Sequence, residues 1–343
     1  MGLKEVIIMS FRNDYSVLVH PRILEAIIKY QNEVNIPYGL DYHSENAKKY
    51  IRKMFNAPKA GIHFISGGTQ TNLLVISCLR NYEAVISADT GHINVHETGA
   101  IEGTGHKIIT VNNKDGKLSS LDILNVLKVH KDEHMVKPRM VYISNTTETG
   151  SFYALEELES ISKVCKENDL YLFLDGARLS SALAASNIKP NDYTRLCDVF
   201  YIGGTKNGLM IGEALIINNN DISKDFRHHI KNKGAMLAKG YLLGIEFEEL
   251  FKDNLYLEIG EKANAIASYL KQELLAINID VMGGDTNQLF VKLDKKLADF
   301  IIKKYETEVW EELDNETVIR FVTSFTSTKN DVDSLIKDIK ERL

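Results

Sequence analysis

Two stretches decide the fold: Leu170-Tyr171-Leu172-Phe173-Leu174-Asp175-Gly176-Ala177-Arg178 and, further on, Asp198-Val199-Phe200-Tyr201-Ile202-Gly203-Gly204-Thr205-Lys206-Asn207-Gly208. Each is a short apolar run that ends in glycine and a charged side chain. Continuous apolar runs of this length read as strands buried on both faces. The first run delivers the Asp175 carboxylate at its carboxyl end, and the second delivers the Lys206 amine. Ligands of open α/β sheets bind outside the carboxyl ends of the strands, so both groups are predicted to face one crevice. The glycines allow close backbone approach there. Taken singly, Asp175 reads as a helix cap and Lys206 as a surface cation. Their placement at consecutive strand ends favours a shared site.

Outward from these runs the same pattern repeats. Ile62–Ile65, Ala84–Ser87, Lys107–Val111, Arg139–Ser144 and Glu213–Ile217 read as strands. Helical periodicity fills Gln70–Arg80, Ser120–His130 and Leu155–Glu167, and Ile23, Leu24, Ile27 and Ile28 mark an earlier helix behind Pro21. Alternating strands and helices predict an α/β domain with a large, mostly parallel, seven-stranded sheet. From about Lys239 the pattern changes. A long helical region, interrupted near Lys252–Asn254, runs to about Leu275. Short strands follow near Ile279–Met282, Leu289–Leu293 and Val318–Val322, then a last helix from Val332. The expected division is residues 1–245 for an N-terminal segment plus the large domain, and 246–343 for a smaller α+β domain.

The composition is that of a soluble enzyme, with 44% hydrophobic and 26% charged residues in 343. A net charge of −6 argues against a nucleic-acid partner, which calls for a basic excess. No apolar run approaches the roughly 18 residues of a membrane span. Met1–Ser10 lacks the cationic region and cleavage site of a secretory signal, and Val6 stands where an acylation motif wants Ser or Thr. Cys78, Cys165 and Cys197 are widely spaced and are expected to be reduced thiols in a cytoplasmic protein.

An aspartate and a lysine so placed suit pyridoxal phosphate. A lysine amine forms a Schiff base with its aldehyde, and a carboxylate pairs with its protonated pyridine nitrogen. Ile65-Ser66-Gly67-Gly68-Thr69-Gln70-Thr71-Asn72 reads as a strand, a glycine turn and a helix start, whose exposed amides bind phosphate. It matches neither the dinucleotide fingerprint nor the P-loop. His92, in Asp89-Thr90-Gly91-His92-Ile93-Asn94-Val95-His96-Glu97, suits stacking on a pyridine ring. His92 and His96 also have metal-ligand spacing, but Ile93 stands where a zincin carries Glu, and no metal is expected. Arg178 and Arg320 are candidates for a substrate carboxylate, and each reads equally as half of an internal ion pair. His228-His229 and Glu311-Glu312 read as solvated.

Together "SGGTQTN" (66–72), "ADTGHINVHETGAIE" (88–102), "LDGAR" (174–178) and "FYIGGTKNG" (200–208) resemble the low-specificity threonine aldolases, fold-type-I pyridoxal-phosphate enzymes grouped with the β-eliminating lyases. The likeness runs from Phe11 through "IRFVTS" near Arg320. It implies that Lys206 holds the cofactor, that Asp175 pairs with its ring nitrogen and that His92 stacks on the ring. It implies that Gly67, Gly68 and Thr69, with Thr205 nearby, cradle the phosphate. Arg178 and Arg320 would hold the substrate carboxylate, with Arg178 also bordering the cofactor. Asn13 stands where better-known members carry a carboxylate-binding serine, and Thr147 where they carry a second histidine. The resemblance further implies a homodimer or homotetramer with active sites at the dimer interface, and a reach of Lys231–Met236 toward a neighbour's phosphate. The expected reaction is cleavage of a β-hydroxy-α-amino acid such as L-threonine or L-allo-threonine to glycine and an aldehyde, with His92 or a water it holds as base. β-Elimination and amino transfer on the same cofactor are the alternatives. A non-catalytic role is disfavoured by the complete set of Lys206, Asp175, His92 and Arg320.

Overall fold

Seven strands build the large sheet: β1 (Gly61–Ile65), β2 (Glu83–Ala88), β3 (Lys107–Val111), β4 (Lys137–Ser144), β5 (Tyr171–Asp175), β6 (Val199–Gly203) and β7 (Glu213–Ile217). They lie in the order β1-β7-β6-β5-β4-β2-β3. β2 through β6 pair in parallel, whereas β7 runs antiparallel to both β6 and β1. The carboxyl ends of β1, β4, β5 and β6 therefore share an edge with the amino end of β7. In register, Ser144 stands opposite Asp175, while Glu213 stands opposite both Gly203 and Ile65. The computed structural model describes residues 9–113 and 115–343. The stretch 1–8, which carries most of the expectation of no secretory or acylation signal, lies outside them.

Alternation along the strands supplies two cores, one per face. Ile86, Leu172, Leu174, Phe200 and Ile202 pack into one, and Val85, Phe173, Val199 and Tyr201 into the other. Both faces are covered by helices, which is why these strands read as unbroken apolar runs.

A second sheet follows, ordered β10-β11-β9-β8, with β8 (Val281–Gly283), β9 (Gln288–Asp294), β10 (Glu308–Glu312) and β11 (Glu316–Val322) all antiparallel. Its core joins Leu289, Val291, Ile319 and Phe321 to the last helix, Lys329–Lys340. The helix Leu255–Ala276 serves both cores. Leu255, Tyr256 and Ile259 pack with the large sheet, while Ile266, Leu270 and Leu274 pack with the small one. Phe11 joins the small-sheet core, so the amino-terminal segment crosses to the carboxyl-terminal half of the chain. No helix among the described residues is long and apolar enough to cross a membrane.

Candidate active site

The loops after β5 and β6 run in contact. A Cβ on Gly203 would lie 2.0 Å from the Ala177 carbonyl oxygen, and one on Gly176 would lie 2.1 Å from that of Tyr201. Only glycine permits this approach, sealed by the Gly203 amide donating to the Gly176 carbonyl at 2.9 Å. The result is a cavity of about 310 Å³ bordered by Asp175 and Lys206 together.

Asp175 is held by three donors. Tyr142 donates its hydroxyl to Oδ2 at 2.6 Å, Asn72 its side-chain amide to the same oxygen at 3.4 Å, and the Ala177 amide reaches Oδ1 at 3.0 Å. Burial, and then the Asp175 charge, push the Tyr142 phenol well above its ordinary range, so it stays a donor. Lys206 is half-buried, with Nζ 5.9 Å from the centre of the Tyr15 ring. Burial and the nearby Arg178 charge lower its pKa against the opposing pull of Asp14, Glu148 and Asp175.

His92 donates Nδ1–H to Glu97 Oε1 at 2.9 Å, and Asn72 donates to the same oxygen at 2.7 Å. A chain thus runs from His92 through Glu97 and Asn72 to Asp175. The Glu97 bond fixes the His92 tautomer, leaving Nε2 for a ligand. Burial pulls the imidazole down, but the Glu97 bond and the fields of Glu148 and Asp175 outweigh it, so His92 holds its proton above the ordinary range.

The glycine turn fits a phosphate. Gly67 caps the helix Gly68–Ile76 with no side-chain bond, and the first amide to bond back is that of Thr71, to the Gly67 carbonyl at 3.0 Å. The preceding amides have no intrahelical partner. An added Cβ on Gly67 would meet nothing within 4 Å, so the cradle is open. The Thr205 hydroxyl accepts from the Gly212 amide at 2.9 Å, which sets the loop around Lys206.

Arg178 borders the cavity, but its Nε and Nη2 grip Asp14 at 2.7 and 3.0 Å. Asn287 donates to the same Asp14 at 3.0 Å. The pair is buried; burial pushes the Asp14 carboxyl up, yet Arg178 and Lys206 hold it below its ordinary value. This tie joins the amino-terminal segment, the loop after β5 and the loop before β9.

Arg320 and Asn13 lie outside the cavity wall. Arg320 on β11 donates Nη1 to Gln288 at 3.2 Å and pairs through Nη2 with Glu308, while its buried Nε has no partner among the described residues. Asn13 Oδ1 closes a turn by accepting from the Tyr15 amide and the Ser16 hydroxyl. Thr147 is buried away from the cavity, its hydroxyl bonded to Ser151 and Thr149 at 2.8 and 3.0 Å. Its neighbours Thr146 and Glu148 face inward instead.

The sequence reading missed Glu148 and Glu213. Glu213 reaches the cavity because β7 runs backwards, bringing its first residue to the edge where the other strands end. It accepts from the Gly204 amide at 2.8 Å, and burial pushes its carboxyl up to about 8. Glu213 opens a predicted strand, so its presence was visible, but the strand's direction was not.

Comparison with known proteins gives the chain a family. The beta-eliminating lyase family model matches residues 23–296. The low specificity L-threonine aldolase of Pseudomonas sp. (strain NCIMB 10558) is 34% identical over 302 residues, covering 86% of this chain and 87% of that protein. The threonine aldolase structure from Leishmania major superposes with a TM-score of 0.96 at 46% identity, covering 97% of this chain and 99% of that one. At 17% identity, the histidinol-phosphate aminotransferase of Clostridium acetobutylicum shares the fold, with a TM-score of 0.72 over 96% of this chain and 98% of its own. The chain belongs to the β-eliminating lyase family of fold-type-I pyridoxal-phosphate enzymes, in its threonine aldolase group.

Proposed function

We propose that this chain cleaves the Cα–Cβ bond of a β-hydroxy-α-amino acid, L-threonine or L-allo-threonine, to glycine and an aldehyde. The observation that carries the reading is Lys206 and Asp175 facing one cavity beside an open glycine cradle. Bound pyridoxal phosphate would supply an aldehyde carbon for an amine and a ring that draws off the electron pair freed at the substrate α-carbon. The chain's own residues do the rest. Lys206 is the amine that would hold the cofactor and give way to a substrate amine; burial and the Arg178 charge lower its pKa, which favours the neutral, nucleophilic form. Asp175, fixed by its three donors, balances a protonated ring nitrogen. The amides of Gly67, Gly68 and Thr69 hold the phosphate, with Thr205 ordering the adjacent loop. His92, on the cavity wall, would cover the ring face.

For the substrate carboxylate we retain Arg178, Arg320 and Asn13. Arg178 borders the cavity with Nη1 outside its Asp14 contacts, and the buried Arg320 Nε has no partner among the described residues. Asn13 adjoins the Asp14 that grips Arg178. Held carboxylates orient the scissile bond, and positioning of this kind carries much of the acceleration in such reactions.

We further place the chain in the cytoplasm as a homodimer or homotetramer. Three free cysteines support the first, and apolar side chains exposed between Tyr15 and Tyr42 support the second. We place the domain division inside the helix Leu255–Ala276, after Ile259, rather than at residue 245. What supports this is the change of core partner along that helix.

The test is aldehyde release from L-threonine and L-allo-threonine by the purified protein with pyridoxal phosphate, beside Lys206→Ala. Aldehyde that disappears in the variant is the expected result. No aldehyde from cofactor-loaded protein overturns the reading in favour of elimination or transfer.

A further inference from the structure

Three acidic side chains border the cavity: Asp175, Glu213 and Glu148. Asp175 has three donors, and Glu213 is held by the Gly204 amide. The half-buried Glu148 carboxylate has neither a hydrogen-bond nor an ion-pair partner among the described residues. Its loop explains the placement. The Thr147 amide donates to the Ser151 carbonyl at 2.8 Å, and the Gly150 amide to the Thr147 carbonyl at 3.1 Å. With Thr147 anchored outward, the residues on either side project into the cavity. A carboxylate left without a donor in a cavity is an acceptor awaiting one.

Its charge acts on the groups that matter. Glu148 opposes the lowering of Lys206 and helps to hold His92 and Arg178 high. His92, by contrast, is already committed. It donates Nδ1–H to Glu97, and in the reading above its ring covers the cofactor, whereas the Glu148 carboxylate has no donor among the described residues.

We propose that Glu148, not His92, receives the proton of the substrate β-hydroxyl during carbon–carbon cleavage. This rests on the aldol reading above. The O–H bond breaks and its proton passes to a Glu148 oxygen, while the O–H electron pair becomes the second bond of the aldehyde C=O. The Cα–Cβ bond breaks and its pair stays on the α-carbon, which then takes a proton to become glycine. Glu148 returns its proton to solvent before the next cycle.

The discriminating variant is Glu148→Gln, which keeps the shape and removes the basicity. Two reactions of the cofactor-loaded protein are compared. Cleavage of L-threonine needs a base for the hydroxyl. Exchange of the glycine α-hydrogen with deuterated water, followed by NMR, involves no hydroxyl. The expected result is cleavage reduced by about 10²- to 10⁴-fold, with glycine exchange and cofactor affinity each within about threefold of the parent, and partial recovery of cleavage in Glu148→Asp. Undiminished cleavage in Glu148→Gln overturns the proposal. Cleavage and exchange falling together also overturn it, because Glu148 would then act on Lys206 or the cofactor and not on the hydroxyl. If the parent exchanges glycine but releases no aldehyde from any β-hydroxy amino acid, the aldol reading itself fails, and this assignment falls with it.

Discussion

Glu97 decides how His92 titrates. Burial alone would drive the imidazole below its ordinary value, and only the carboxylate contacts reverse the sign. Replacing Glu97 with Gln should therefore lower the His92 pKa, read by NMR titration of the apo-protein with His92→Asn assigning the resonance. An unchanged titration would show that Glu148 and Asp175 suffice. Glu213 offers a second test through stability. Its folded carboxyl keeps a proton to about 8, against 4.5 for an ordinary glutamate. Between these values the unfolded chain binds fewer protons than the folded one, so this group makes stability fall as pH rises across that window. Glu213→Gln should flatten the decline in Tm of the apo-protein between pH 5 and 8, and an equal slope in both proteins would remove Glu213 as its source. Much of this chemistry was legible in the sequence at the residue scale. Asp175 and Lys206 end unmistakable apolar strands, and position at a strand end is a property that the chain order records. Glu148 was not legible, because a tight turn at Thr147 decides which of three consecutive residues faces inward.

The loop that carries Lys206 and the turn after β1 depend on glycine for different reasons, and substitution separates them. A methyl group on Gly203 collides with backbone at 2.0 Å, where nothing flexible can yield. Gly203→Ala should destabilise the apo-protein by about 3 kcal/mol, lowering Tm by about 5 °C or more. Gly67 has open space around the same position. Gly67→Ala should leave the apo-protein Tm within about 1 °C and weaken pyridoxal phosphate binding about tenfold, a loss of roughly 1.4 kcal/mol, because the methyl enters the cradle. Equal cofactor affinity in that variant would move the phosphate elsewhere. Whereas the edge strands β1 and β3 are only partly buried, the central strands were legible because they are buried on both faces and so lack a polar alternation. Their directions were not, since β7 differs from its neighbours only in pairing. β10 escaped notice because Glu308-Val309-Trp310-Glu311-Glu312 is an edge strand of largely exposed residues. Its glutamates read as a solvated pair, which they are, while the backbone beneath them pairs with β11.

At the scale of the whole molecule, burial is uneven. Between Tyr15 and Tyr42 a single chain leaves Leu18, Val34, Ile36 and Tyr42 largely exposed, with Val34 fully so. Elsewhere most apolar residues are collected into three cores, and the exposed ones, such as Leu121 and Val129, are scattered. Lone exposed apolar side chains need no explanation, but a run of them along one segment is the usual pattern of an interaction surface. Tyr15 sits at one end of this run and also borders the active-site cavity, so whatever covers the segment adjoins the site. A second copy of the chain is the occupant that the fold-level resemblance implies, and a net charge of −6 is small enough not to oppose self-association strongly. Light scattering at micromolar concentration should then give two or four times the 38.7 kDa of one chain. The double variant Val34→Glu/Ile36→Glu should shift that mass toward the single chain and weaken cofactor affinity in parallel, since charge buried at an interface without a partner costs several kcal/mol per group. The variant changes no residue of the cavity wall, so coupled losses of mass and cofactor would trace the site's integrity to the neighbouring chain. A monomeric parent protein that still holds its cofactor would instead make each cavity complete within one chain.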